Sequence, residues 1–347
     1  MTKKIILFLV LTAFLNPLCA MADQQTDVTI KIATMAPRGS GTAELLDELN
    51  KQIKTETNNK VKFKIYYGGV HGDAKNVLNK MKVKQLQGAM LAGYGLAQIV
   101  PKVQVTGLPY LFRNYGEVEY VRGKLNEQME QAFIDEGFVV LGWYDIGFVH
   151  SFTKVPVTSL EIARQQKFWA PEGDRLAHAA YTSLGISPVA LSLTDVLTSL
   201  STRLIDAASA PPIAAVAFRW HTKFQYMTEY PSSNVIGGLV ITKHIWDEVT
   251  PENQKKILPL TREYCQKITE HFKQQNKQSI QVIRDSGITI VRPQDAEDYK
   301  KFIEETTIKT MNALVGDMFS QELLNQTLAY LAEYRKVHPD SVVEKID

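Results

Sequence analysis

Cysteine is almost missing from these 347 residues: only Cys19 and Cys265 are present. Cys19 falls in an N-terminal stretch that reads as a removable leader. The rest of the chain can then form no internal disulfide and no metal site built on paired thiolates. Histidine pairs are missing too, since the seven His are scattered without the i, i+4 spacing of a helical zinc site. There is no phosphate loop of the Walker type and no nucleophile elbow. Gly93-Tyr94-Gly95 begins as a dinucleotide loop would, but Gln98 stands where the third glycine belongs. Asp145 and His150 lie near each other without a third group to orient them, so hydrogen-bonded structural roles are the simpler reading. Cys265, beside Tyr264 in a helical pattern, reads as a buried thiol. These gaps point away from an enzyme and from any cofactor.

An excess of one charge is lacking as well. Lys and Arg number 39 against 37 Asp and Glu, and taking away Lys3 and Lys4 with the leader brings the formal +2 to zero. Such a balance offers no field to draw in nucleic acid or an anionic membrane. The one apolar run, Ile5 to Leu15, is shorter than the roughly 20 residues that cross a bilayer. Preceded by Lys3-Lys4 and followed by Ala20-Met21-Ala22, it has the pattern of a signal peptide over residues 1–22. The expected product is exported, soluble and periplasmic. Lipidation at Cys19 is the alternative, for which Asn16-Pro17-Leu18 is a poor lead-in.

What is present is alternation. VTIKIAT (28–34) and VKFKIYY (61–67) alternate apolar and polar residues as strands do, and Ala89 to Ala92 form a third, shorter run. Between them lie helical patterns, one capped by Ser40 or Thr42 with Leu45, Leu46, Leu49 and Ile53, one opened by Asp73 with Val77, Leu78 and Met81. Strand, helix, strand, helix, strand is the order of a parallel sheet faced by helices, an α/β fold. The second half repeats the theme with strands at 138–143, KFWA (167–170) and 235–242, and a helix through Val196, Leu197, Leu200 and Leu204. Thr250-Pro251-Glu252 starts a long helix to about Arg284, with proline where its missing N–H is harmless. A helix of that length outreaches one small lobe and can brace two. Residues 293–337 read as two further helices.

Open α/β sheets bind ligands beyond the carboxyl ends of their strands. Those ends place Met35 and Ala36, then Ala92, Gly93 and Tyr94, then Tyr144 and Phe148, then Trp169, then Ala210 around a candidate pocket. Almost all are apolar or aromatic. Glu172 and Asp174 read as caps of the helix that follows KFWAPEGD. Arg38 is the best remaining cation, on a loop where an ordinary exposed arginine is the simpler reading.

Four segments carry a family resemblance: YYGGVHGD (66–73), LPYLFRNYGEV (108–118), KFWAPEGD (167–174) and LTDVLTSLSTRLIDA (193–207). In order and spacing the chain resembles the solute-binding proteins of tripartite ATP-independent periplasmic (TRAP) transporters, DctP type, from about Val28 to Val291. The resemblance implies a two-lobe periplasmic binding protein fold, type II-like, with crossing strands and a long bracing helix. It implies a small-molecule ligand in the cleft and a sodium-driven membrane permease as partner. The expected division is residues 23–146 plus 236–275 for the first lobe and 147–235 plus 276–347 for the second, in a monomer.

This chain departs from the family where charge is expected. The Arg that clamps a ligand carboxylate in the family's organic-acid binders would fall at Trp169, and a second at Val149. An Asn would fall at Ala210, and polar contacts of sialic-acid binders at Met35 and Ala92. Leu193 completes the candidate list. A hydrogen bond to a charged group contributes ~1.5–3 kcal/mol, so losing the clamp should weaken a carboxylate ligand by about a hundredfold or more. The expectation is a largely apolar or aromatic ligand. The alternatives are an organic acid, a cationic solute caged by Trp169, Tyr144 and Tyr94, a lipid carrier without a permease, and a sensing subunit for a membrane kinase.

Overall fold

A computed structural model describes residues 27–292, 296–344 and 346. The expected leader, 1–22, lies outside them. Strands β1 (Val28–Ala33), β2 (Val61–Tyr66) and β3 (Gly88–Ala92) alternate with helices α1 (Gly41–Glu56) and α2 (Ala74–Lys82). Then come α3 (Gly93–Ala97), a 3-10 helix at Pro101–Gly107, α4 (Tyr115–Asp135) and the long strand β4 (Phe138–Thr153). The middle of the chain forms α5 (Leu160–Arg164), β5 (Trp169–Pro171), α6 (Arg175–Ser183), β6 (Val189–Leu191) and α7 (Val196–Ser201). β7 (Ala207–Ala210), α8 (Pro212–Ala217), β8 (Tyr226–Thr228) and β9 (Ser233–Thr242) follow. The chain closes with α9 (Lys243–Asp247), α10 (Pro251–Asp285), β10 (Thr289–Val291), α11 (Ala296–Leu314) and α12 (Gln321–Val337).

The local chemistry explains the starts of these elements. Ser40 caps α1 by accepting from Ala43 N at 3.3 Å, and Asp73 caps α2 by accepting from Asn76 N at 3.2 Å. Thr250 caps α10, with Pro251 in its first turn. β2, β1 and β3 are parallel, as their βα order dictates. β9 then joins β3 antiparallel, and β4 joins β9, giving an eight-stranded mixed sheet in the order β10-β8-β4-β9-β3-β1-β2 with β7 also on β4. β5 and β6 form a separate parallel pair.

Two apolar cores flank the first-lobe part of the sheet. One gathers Ile30, Leu46, Ile53 and Ile268, the other Leu91, Leu96, Val121 and Phe133. A third core, with Phe152, Trp169, Val196, Leu200 and Trp220, belongs to the second lobe. The strand expected at 138–143 continues to Thr153, so β4 passes from one lobe into the other. The sequence reading puts α12 on the second lobe, yet it packs against α4 of the first. There Leu323 and Leu331 share a core with Val118 and Val121, and Arg335 grips the fully buried Glu117 carboxylate at 2.8 and 2.9 Å. α11 rests on α6. No helix among the described residues is long and apolar enough to cross a membrane.

α10 holds β4 through side chains. Thr261 donates to Leu141 O at 2.8 Å, Thr269 accepts from Asp145 N at 3.0 Å, and Asn276 donates to Ile146 O at 2.7 Å. Asn276 also accepts from Ile213 N at 3.0 Å, so one side chain ties the crossing strand to α8. Next to it, Gly147 has φ +135°, a region closed to most side chains, and an added Cβ would overlap the Asn276 amide. Gly147→Ala should therefore cost about 2–4 kcal/mol, read from urea denaturation, with Asn276→Ala costing a similar amount.

His150, on the same strand, is buried and donates from Nδ1 to Thr228 O at 2.9 Å. Burial lowers its imidazole from 6.5 to about 4. The unfolded chain takes up this proton first, so the His150 contribution is complete above pH 6.5 and is lost as pH falls toward 4. Urea denaturation at pH 7.5 and 4.5 should show His150→Gln losing about 2–3 kcal/mol less than the native protein over that interval. Comparing the two proteins at each pH removes the contributions of Asp145 and Asp174, whose carboxyls burial holds above their usual value.

Candidate functional site

Between the lobes lies a cavity of about 1140 Å³. Met35, Ala36, Ala92, Gly93 and Tyr94 line it from the first lobe, and Val149, Trp169, Leu193 and Ala210 from the second. Tyr144 forms part of its floor. Of the sequence-predicted residues, only Phe148 lies elsewhere. Its ring is buried edge-on to Tyr115 at 5.0 Å, behind the sheet. The reason is alternation within β4: a register shift between Asp145 and Gly147 puts Phe148 and His150 on one face, Val149 and Ser151 on the other.

Each wall residue is held by an identifiable contact. Thr34 accepts from Ala36 N at 3.1 Å, shaping the turn after β1 that carries Met35. Ala92 ends β3 and caps α3, which sets Tyr94 in the first turn. Burial, then the carboxylates of Asp73 and Asp174, raise the Tyr94 phenol and keep it neutral. Tyr144 is no strand end; it sits inside β4, its ring over Gly237 and its hydroxyl donating to Leu91 O at 3.2 Å. Leu193 opens a 3-10 turn, Leu193–Asp195, before α7. Trp169 is 4% exposed. Its Nε1 donates to Leu191 O at 3.0 Å and its ring meets Trp220 edge-on at 5.1 Å, so it serves core and cavity wall together.

The charges around the cavity are mostly negative. Asp73 and Asp174 cap α2 and α6, and Asp174 also accepts from Gln104 of the first lobe at 3.3 Å. Glu172 caps nothing; it reaches Lys75 of α2 at 2.8 Å, bridging the lobes at the surface. The Arg and Lys residues lining the cavity among the described residues are Arg292 and Lys301, both exposed. Arg292 pairs with Glu229 at 3.0 Å. Arg38 lies over the Tyr67 ring at 4.9 Å and does not line the cavity. Asp145 is fully buried at 3.4 Å from Arg122, away from the cleft, and Cys265 is a buried thiol pushed up to about 12. Among the described residues, no group of three or more His, Cys, Asp and Glu could hold a metal ion.

The sequence reading missed the hydroxyls of Ser151, Tyr181 and Ser209, which also line the cavity. Ser209 stands beside Ala210 in IDAASAP, and the partner that gives it a role, Ser151, is distant in sequence, so spacing gave no signal for it.

Two α/β lobes crossed by paired strands, with a cavity between them, form a two-lobe binding-protein architecture. Residues 32–313 match the family model DctP, bacterial extracellular solute-binding protein, family 7, and the chain belongs to that family, which serves TRAP transport and is one of binding proteins rather than enzymes. The C4-dicarboxylate-binding periplasmic protein DctP of Rhodobacter capsulatus is 22% identical, over 80% of this chain and 82% of its own. A TRAP periplasmic solute-binding protein from Xanthobacter autotrophicus with bound β-D-galacturonate superimposes with a TM-score of 0.80 at 19% identity, covering 87% of this chain and 99% of that one. Another from Desulfovibrio salexigens, with bound orotic acid, gives 0.77 at 18% identity, covering 90% and 98%. None of these three relatives is described with an apolar ligand.

Removing the indole would open the second-lobe core and take one of two donors from Leu191 O, which keeps the Glu172 N–H at 3.1 Å. Trp169→Ala should cost about 3–5 kcal/mol in urea denaturation, and Trp169→Phe clearly less.

Proposed function

We propose that this protein is a periplasmic receptor for an uncharged ligand with a large apolar or aromatic body. The lobes close on it, and the complex hands it to a sodium-coupled TRAP permease. In this reading residues 1–22 direct export and are removed, and the receptor works as a monomer. Its first lobe holds 23–146 with 236–275 and its second 147–235, while the segment from 276 on reaches both.

The observation that carries the ligand class is the make-up of the cavity wall. Met35, Ala92, Val149, Trp169, Leu193 and Ala210 offer apolar surface, worth ~25 cal/mol per Å² that a ligand buries against them. A carboxylate placed among them would meet Asp73, Asp174 and Glu229, while of the lining cations Arg292 is exposed and already paired and Lys301 is exposed to water. Desolvating an ion without a partner costs several kcal/mol.

A second reading, a sugar acid or dicarboxylate, is favoured by the ligands of the relatives, β-D-galacturonate among them. Calorimetric titration separates the two. Micromolar binding of neutral N-phenyl-1-naphthylamine, with none of D-galacturonate or succinate, is the expected outcome. Tight binding of either acid with no response to the naphthylamine overturns the apolar reading. Native mass spectrometry of the purified protein bears on the carrier alternative, which co-purified acyl chains would favour.

A further inference from the structure

The second-lobe wall of the cavity is not uniformly apolar. Ser151 of β4 and Ser209 of β7 stand directly opposite each other, and their hydroxyl oxygens are 2.9 Å apart. Tyr181 of α6 donates to Ser209 Oγ, also at 2.9 Å. Thr228 of β8 stands beside Ser151 and accepts from its backbone N–H at 3.0 Å. All four residues line the cavity and are partly exposed within it.

A count of protons gives this cluster a direction. Three hydroxyls, those of Tyr181, Ser209 and Ser151, carry three protons but make two hydrogen bonds among themselves. Whichever way the serines orient, one donor is left over. The Thr228 proton likewise has no acceptor among the described residues, since its oxygen is used as an acceptor. The Tyr181 phenol is held neutral by burial, which pushes it up to about 12, so it stays a donor at ordinary pH. A donor facing the cavity with no protein acceptor in reach asks for one from whatever fills that cavity. The acceptor should carry no charge: the next residue after Thr228 is Glu229, and its carboxylate is already matched by Arg292.

We propose, building on the apolar-ligand reading above, that Ser151, Ser209 and Thr228 form a polar spot selecting ligands that carry a neutral oxygen acceptor, such as a ketone or ether, on their apolar body. Tyr181 donates to Ser209 and so leaves the spare donor with the serines. The ligand class is thereby narrowed from apolar compounds in general to oxygenated ones.

The test is displacement of N-phenyl-1-naphthylamine fluorescence by two compounds of like shape, 4-phenyl-2-butanone and butylbenzene. The ketone prefers water more than the hydrocarbon does, so a cavity without a polar spot takes butylbenzene better. The native protein should instead take the ketone at the lower concentration. The variant lacking all four hydroxyls, Ser151→Ala, Ser209→Ala, Tyr181→Phe and Thr228→Val, should shift the ratio of the two by about tenfold, the scale of one lost hydrogen bond, and leave butylbenzene unchanged, which also shows that the variant folds. Tyr181→Phe should keep the preference, because two protons and one internal bond still leave one donor. A hydrocarbon preference in the native protein, or a ketone preference that survives in the hydroxyl-free variant, overturns the polar spot while the apolar reading stands. Failure of the naphthylamine to bind, together with tight binding of D-galacturonate, overturns both.

Discussion

Backbone hydrogen bonds pair β4 with β9 from Phe138 to Val149, and this single ribbon runs through both lobes. Everything else in the molecule is arranged on it. The parallel strands of the first lobe attach to β9, while β7 and β8 of the second attach to β4. α10, 35 residues and therefore roughly 52 Å long, lies along the ribbon and fastens to it at Leu141, Asp145 and Ile146. The cavity is the space left where the lobes diverge from this common spine. Its floor is set by which side chains of β4 point upward, and that choice depends on the irregularity at Gly147.

The chemistry of the cavity follows from the residues that build the elements around it. Carboxylates stand at its edge because helices α2 and α6 begin there and need caps. Asp73 and Asp174 thus serve folding first, and a negative rim is the by-product. The apolar wall has a comparable origin. Trp169 fills the second-lobe core against Trp220 and reaches the cavity with what remains of its surface. A guanidinium could not take that place without leaving a charge among Phe152, Val196 and Leu200. The absence of a cationic clamp is built into the packing of the lobe as well as into the site.

Much of this was legible from residue order. Ser40, Asp73 and Thr250-Pro251 announced helix starts because capping depends on one side chain and its next three residues. The parallel sheet was legible because alternation and helical spacing are local. What could not be read was the continuation of β4 past Trp143. Tyr144, Ile146 and Val149 keep an apolar pattern, but a bulge reverses which face each presents, and nothing in the sequence fixes where a bulge falls. Phe148 was misplaced for that reason. Glu172 and Leu204 were misjudged differently. Glu172 answers to Lys75, distant along the chain, and Leu204 lies beyond α7 with half its surface exposed. Long-range pairings of this sort leave no trace in spacing. Ser209 was overlooked because a serine between alanines looks like filler until its strand neighbour is known.

The C-terminal helices give the molecule a stiff side and a loose one. α12 is bolted to α4 by a buried ion pair, and α11 lies on α6 while Thr307 donates to Pro109 O at 3.1 Å. That flank is sewn across both lobes. Just before α6 the lobes are joined more lightly, by Gln104 and Asp174 and, at the surface, by Lys75 and Glu172, an exposed pair that ordinary salt weakens. The lobes are thus fastened firmly by the C-terminal helices and lightly by the pair at Lys75, so salt should loosen the second fastening and leave the first in place.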